Sequence, residues 1–202
     1  QDATGEKSLL SAIRAVIDQK AYFTDIPAGA WYAESAESAR KLGLMQGTGN
    51  GLFSPGGSVS RGMAAAILYR LAGEPEAPPS PFSDVTERDY YHDAAAWAVE
   101  NGVVTGYADR TFRPGLPVSR QQLAAMLWRY AQTVNLKLER QADLSGYRDA
   151  HAVAVYAVEP LGWAVKAGLF QGTAAGDLLP QGGALRGQTA VILWRFLELL
   201  EA

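Results

Sequence analysis

Phe23-Thr-Asp25-Ile26 returns as Phe82-Ser-Asp84-Val85, 59 positions later, and the two stretches then stay in register without a gap. Tyr32 pairs with Tyr91, Gly43 with Gly102, Gly47 with Gly106, Phe53 with Phe112, Pro55 with Pro114, Val59-Ser60-Arg61 with Val118-Ser119-Arg120, and Arg70 with Arg129. A third copy follows 66 positions beyond the second: Gly102 maps to Gly168, Gly106 to Gly172, Pro114 to Pro180, Arg120 to Arg186 and Trp128-Arg129 to Trp194-Arg195. Its opening, Tyr147-Arg148-Asp149, sits one residue out of step, which predicts a small insertion before Tyr156. A chain built this way folds as one supersecondary unit used three times, each unit too small to bury its own apolar face.

Within a copy the pattern reads as helix, loop, helix. Apolar and small residues at Tyr32, Ala36, Ala39 and Leu42 recur at helical spacing, and Gly43 follows where a left-handed cap is wanted. First helices are predicted over about 31–42, 90–101 and 156–167. Second helices begin after Ser60 and Ser119, whose hydroxyls suit the exposed amides of a first turn, and carry stripes such as Ile67, Leu68 and Leu71. The expected fold is all-α: three repeats packed in a compact, pseudo-threefold arrangement around a central helical bundle. The repeats are placed at 23–73, 82–132 and 147–200, and 1–22 forms an N-terminal helix and linker, with Lys7 to Lys20 amphipathic. The proline-rich Gly73–Pro81 and the longer Thr133–Gly146 join the copies.

The loop Gly47-Thr-Gly-Asn-Gly-Leu-Phe-Ser-Pro looks at first like a phosphate cradle. A nucleotide loop needs a strand before it and, in one common form, a lysine after it; neither is here, and the sister loops lose the glycine spacing. The glycines serve turns. What persists is an arginine at each second-helix start: Arg61, Arg120 and Arg186. A cation there opposes the helix dipole but, beside free amides, makes an anion clamp. The alternative is that these arginines pair with Asp25, Asp84 or Asp149.

Other chemistry is poorly supplied. With 18 Lys and Arg against 21 Asp and Glu, the net charge of −3 offers no basic field for nucleic acid. There is no cysteine, no apolar run near the length of a membrane span, and neither histidine has a metal-ligand spacing. Glu34 and Glu37 share one helix side and so cannot flank a scissile bond from opposite faces. No catalytic residue, metal site or cofactor is expected.

Taken together, the aromatic-x-Asp openings, the middles Gly43-Leu-Met-Gln-Gly47, Gly102-Val-Val-Thr-Gly106 and Gly168-Leu-Phe-Gln-Gly172, and the starts Ser60-Arg61, Ser119-Arg120 and Leu185-Arg186 resemble the S-layer homology family over about Phe23 to Leu197. The resemblance implies an extracellular module, at the bacterial cell surface, that tethers an exported protein to the wall by binding a secondary wall polysaccharide carrying pyruvylated N-acetylmannosamine. Ligand grooves are implied between repeats, with the helix-start arginine facing the sugar. The candidate ligand residues are the implied Arg61, Arg120 and Arg186 together with the caps Ser60 and Ser119, the loop glycines Gly47, Gly106 and Gly172, the residues before them Gln46, Thr105 and Gln171, which could hydrogen-bond sugar hydroxyls, and the aromatics Trp31, Tyr90 and Tyr156, which could stack on a sugar ring. Where the family has a glutamate that closes a capping box, this chain has Met63, Gln122 and Gln188, so the Arg120 site is expected to be the best formed and the Arg186 site the least. The alternative function is protein–protein interaction or self-assembly of a surface layer.

Overall fold

The computed structural model describes residues 22–138 and 141–201; the amphipathic helix expected at Lys7–Lys20 lies outside them. Six α-helices and two 3₁₀ turns make up the described residues, which contain isolated bridges but no strand. The first helices of the repeats are α1 (Ala33–Lys41), α3 (His92–Glu100) and α5 (Val158–Lys166); the second are α2 (Arg61–Leu71), α4 (Arg120–Thr133) and α6 (Arg186–Leu200). The chain is all-α, as its periodicity predicts.

Each first helix starts two residues later than the spacing suggests; before α1 and α3 this is because Tyr32 and Tyr91 sit at the cap position in a turn. In the third repeat the insertion forms the 3₁₀ turns Ala150–Ala152 and Val155–Ala157, the second running directly into α5. All three first helices end on a glycine with positive φ: Gly43 at 72°, Gly102 at 67° and Gly168 at 73°. Ser60 accepts from the Met63 amide at 3.2 Å. Ser119 closes a full capping box, its hydroxyl accepting from Gln122 N–H and the Gln122 side chain accepting from Ser119 N–H at 2.9 Å.

The chain divides after Gly56 and before Arg186 into two units. In the central one, α2 packs on α3, and α4 packs on α5 and the turn before it. In the other, α1 packs on α6. The helices of one repeat are therefore not each other's main partners: every second helix covers the first helix of a different repeat. This differs from the compact helix–loop–helix hairpin that the local pattern suggests. The long Gly-Phe-x-Pro loop carries the chain away from its own first helix.

Side-chain size follows this exchange. Gly62 on α2 leaves room for Tyr91, whose ring would lie 2.8 Å from a Cβ at that position, and Gly187 on α6 does the same for Tyr32 at 3.3 Å. At the equivalent place α4 has Gln121, and the opposing residue shrinks to the buried Ala157. The Gln121 side chain fills the space and accepts from Ala154 N–H at 2.9 Å.

In the central unit one extended residue from each repeat joins a closed ring of hydrogen bonds. Val118 N–H donates to Val59 C=O, Ala184 N–H to Val118 C=O, and Val59 N–H to Ala184 C=O, each at 2.8 Å. All three residues are buried. The ring satisfies backbone groups that no sheet is present to pair.

Among the described residues two buried hydroxyls have no partner, those of Ser38 on α1 and of Thr189 on α6, the latter where α4 has Leu123. Thr189→Val keeps the shape and removes the unpaired hydroxyl, so it should raise stability by about 1 kcal/mol. Urea titration of the two proteins checks this, and a lower midpoint for the valine variant would count against it.

Candidate functional site

The pattern that recurs in the three repeats converges on the loop between the two helices of each. Asp25 accepts from Phe53 and Ser54 N–H at 2.8 and 2.7 Å, Asp84 from Phe112 and Arg113 at 2.7 and 2.8 Å, and Asp149 from Leu178 and Leu179 at 2.8 and 2.7 Å. The second residue of each pair, which precedes the loop proline, has positive φ: 56° at Ser54, 54° at Arg113 and 53° at Leu179. That left-handed turn costs roughly 1–2 kcal/mol for a residue other than glycine. The charged hydrogen bonds from the aspartate offset it.

The helix-start arginines hold the same loops from the other side. Arg61 donates through Nε to Phe112 C=O and through Nη2 to Thr105 C=O, both at 2.9 Å. Arg120 makes the matching bonds to Leu178 and Gln171 at 2.9 Å, and Arg186 to Phe53 and Gln46 at 2.7 and 2.6 Å. Arginine and aspartate thus grip one loop together, with Phe53 and its equivalents giving N–H to the carboxylate and C=O to the guanidinium. The Arg186 side chain lies 4.7 Å over the Phe53 ring and is only 6% exposed.

The amides at the helix starts are also taken. Arg61 and Gly62 N–H donate to Leu116 and Pro114 C=O, Arg120 and Gln121 N–H to Gly182 and Pro180 C=O, and Gly187 N–H to Pro55 C=O. With Met63 and Gln122 bonded to the cap serines, the first turns of α2 and α4 offer no row of free amides to an anion. This corrects the expectation that guanidinium and helix amides would clasp a carboxylate together. The loop carbonyls of another repeat occupy that pole of the dipole.

Burial pushes the Asp25 and Asp149 carboxyls up, but the two loop amides on each outweigh it and hold them below the usual carboxylate range. A depressed folded pKa gives stability that is full above the ordinary value near 4 and is lost as pH falls through it. The melting temperature should therefore hold from pH 7 to about 4 and drop below that. Replacing Asp149 with asparagine should remove part of the drop while lowering stability at pH 7; calorimetry across this range is the check.

A groove opens beside the Arg61 clip in the central unit, with a volume of about 380 Å³. Arg61 and Arg129 line it with Tyr107, Tyr156, Thr105 and Gln122, over an apolar floor that includes Met126. Among these residues none is acidic. Burial draws the Arg61 pKa down and the nearby Arg113 adds to this, yet a guanidinium stays cationic at any physiological pH. Burial raises the Tyr156 phenol, and Arg129 and Arg61 pull it back. Arg129 spends one long bond, 3.4 Å, on Val103 C=O. The groove therefore presents two cations, two phenol rings and hydroxyl or amide groups, which suits an anionic, hydroxyl-rich ligand.

The sequence-predicted residues fall into distinct places. Arg61, Thr105, Gly106 and Tyr156 meet at this groove. Ser60 and Ser119 cap helices. The loop glycines admit the opening aromatics: a Cβ on Gly106 would lie 2.3 Å from the Phe82 ring, on Gly172 2.5 Å from Tyr147, and on Gly47 3.0 Å from Phe23. Gln46, Thr105 and Gln171 each give a backbone carbonyl to an arginine, and all three are exposed. Trp31, Tyr90 and Tyr156 are exposed by 67%, 62% and 49%, whereas their neighbours Tyr32 and Tyr91 tuck against glycines. Arg129 and Tyr107 were missed; the recurrence of Arg70, Arg129 and Arg195 further along the same helix as each clip arginine was the available signal.

The S-layer homology domain model matches residues 22–65, 81–124 and 146–190, together more than half of the chain. The chain belongs to the S-layer homology family. Among curated relatives, this module is 31% identical over 205 residues to the surface-layer 125 kDa protein of Lysinibacillus sphaericus, covering 99% of the chain and 17% of that protein. It is 27% identical over 173 residues to a cellulosome-anchoring protein of Acetivibrio thermocellus, covering 82% and 38%. Against an endoglucanase of Bacillus sp. (strain KSM-635) it is 27% identical over 178 residues, covering 86% and 19%. The module thus spans well under half the length of these relatives. Membership makes it an extracellular, cell-wall-associated anchoring module; in enzyme relatives such a module is a part separate from the catalytic one. No described helix is long and apolar enough to cross a membrane. No group of three or more potential metal ligands occurs among the described residues.

Proposed function

We propose that the S-layer homology module holds its parent protein on the wall by binding an anionic secondary wall polysaccharide in the groove lined by Arg61 and Arg129. The observation that carries this reading is the pair of guanidinium groups beside Tyr156 and Tyr107 in a groove without an acidic lining residue. A pyruvate ketal on an N-acetylmannosamine unit supplies the matching carboxylate, and the ring of such a sugar can rest on a tyrosine face. Exposed Trp31 and Tyr90, the positional equivalents of Tyr156, support further contacts with the same polymer. Several weak contacts on one chain multiply apparent affinity. Of the three arginine positions, that of Arg186 is the least open, so its contribution to binding is through the loop it holds.

Sedimentation with purified wall polysaccharide tests this reading. Binding should be lost when the ketals are removed by mild acid and restored with untreated polymer. Undiminished binding to the ketal-free polymer would overturn it, and concentration-dependent assembly in the absence of glycan would favour self-association instead.

A further inference from the structure

Asparagine is followed by glycine twice in the chain, at Asn50-Gly51 and Asn101-Gly102, while Asn135 precedes Leu136. The side-chain amide carbon of an asparagine lies within reach of the next residue's backbone nitrogen, and a glycine there removes the Cβ that would crowd the approach. Local sequence makes the two Asn-Gly pairs equally prone to this attack. The fold separates them.

Asn101 caps the C-terminal end of α3. Its Nδ2 donates to Trp97 C=O at 2.9 Å, and Gly102 N–H donates to Val99 C=O at 3.1 Å. The amide that would leave and the nitrogen that would attack are both held by the helix end. At Asn135 the following nitrogen, that of Leu136, is bonded to Ala131 C=O at 2.9 Å. Asn50 is exposed instead, at φ 51° in a turn that Leu52 N–H closes on Gly49 C=O at 2.9 Å. Among the described residues neither its side chain nor the Gly51 N–H has a hydrogen-bond partner.

The turn is also tied to the loop that Asp25 and Arg186 grip. Gly51 C=O accepts from Thr24 N–H at 2.9 Å, and Leu52 C=O accepts from Thr48 N–H at 2.8 Å. Thr24 directly precedes Asp25, and Leu52 directly precedes Phe53, which bonds to both Asp25 and Arg186.

We propose that Asn50 is a site of spontaneous modification, where the amide is converted to aspartate or isoaspartate with water as the co-reactant. The Gly51 nitrogen loses its proton to solvent base and bonds to the Asn50 side-chain carbonyl carbon. The bond from that carbon to Nδ2 breaks, and the nitrogen leaves as ammonia. Water then opens the cyclic imide at one of its two carbonyls. Opening at the side-chain carbonyl gives aspartate on an unchanged backbone; opening at the main-chain carbonyl gives isoaspartate, which routes the chain through the side chain and adds one methylene to it. Either product adds a negative charge, but only isoaspartate breaks the register of the turn and so pulls on Thr24 and Leu52.

Incubation of the whole chain at mildly alkaline pH, followed by peptide mass spectrometry and enzymatic methylation of isoaspartate, tests this. In native buffer the peptide holding Asn50 should convert about tenfold faster or more than the one holding Asn101, which reacts only when the end of α3 opens. In urea the two should convert at similar rates, because their local sequences match. The isoaspartate form, separated by chromatography, should melt about 2–6 °C lower than the unmodified chain, whereas Asn50→Asp should shift the midpoint by less than about 2 °C. Equal native rates at Asn50 and Asn101 overturn the proposal, as does an Asn50 that stays intact in the native chain under conditions where it converts in urea.

Discussion

Arg186→Ala should lower stability by about 3–5 kcal/mol, more than most substitutions in this protein. The guanidinium is almost fully buried and spans the Phe53 and Gln46 carbonyls with bonds of 2.7 and 2.6 Å. Its removal strips a charged donor from two acceptors, empties the space over the Phe53 ring, and leaves the Asp25 carboxylate without a nearby cation. Arg186→Lys should recover little, since a single ammonium cannot reach both carbonyls with the geometry of the planar fork. Urea unfolding of the two variants measures this. A loss below about 1 kcal/mol for the alanine variant would mean that the clip is incidental.

Arg129→Gln should behave in the opposite way, with little change in stability and a large change in ligand binding. Among the described residues Arg129 gives one long hydrogen bond, to Val103 C=O, while its charge lies on the groove. A charge-assisted bond to a ketal carboxylate is worth roughly 1.5–3 kcal/mol, so affinity for the wall polysaccharide should fall about 10- to 100-fold. Arg61→Ala is a poorer probe because that residue also clips the Thr105–Phe112 loop, and a binding defect there mixes two causes. Calorimetric titration with a ketal-bearing disaccharide distinguishes the two residues. Equal binding by wild type and Arg129→Gln would remove the groove from consideration.

Local features of the fold were legible in the chain because they depend on neighbours in sequence. Ser60 and Ser119 cap their helices, Gly43, Gly102 and Gly168 end theirs, and helix periodicity gave the class. The exchange of helix partners was not legible, because the same apolar stripe fits a helix of its own repeat or of another. The role of the arginines was hidden for a related reason: their acceptors are backbone carbonyls, which every residue has and no sequence pattern marks. Sequence reasoning offered a ligand or an aspartate as their partner, whereas arginine and aspartate meet at a common loop instead of each other. Arg129 escaped notice because a lone arginine on an amphipathic helix looks like ordinary surface until Tyr156, from the next repeat, is seen beside it.

The pairing of α1 with α6 has a kinetic implication. The bonds from Arg186 at the start of α6 to Phe53 and Gln46, in the loop after α1, join residues 133 and 140 positions apart, so the earliest described helix cannot reach its partner until the last described one has been synthesised. Closing such a span costs chain entropy before any contact repays it, which makes this the slow step. The unit that holds α1 and α6 therefore closes later than the central one, whose helix pairs all lie within residues 57–185.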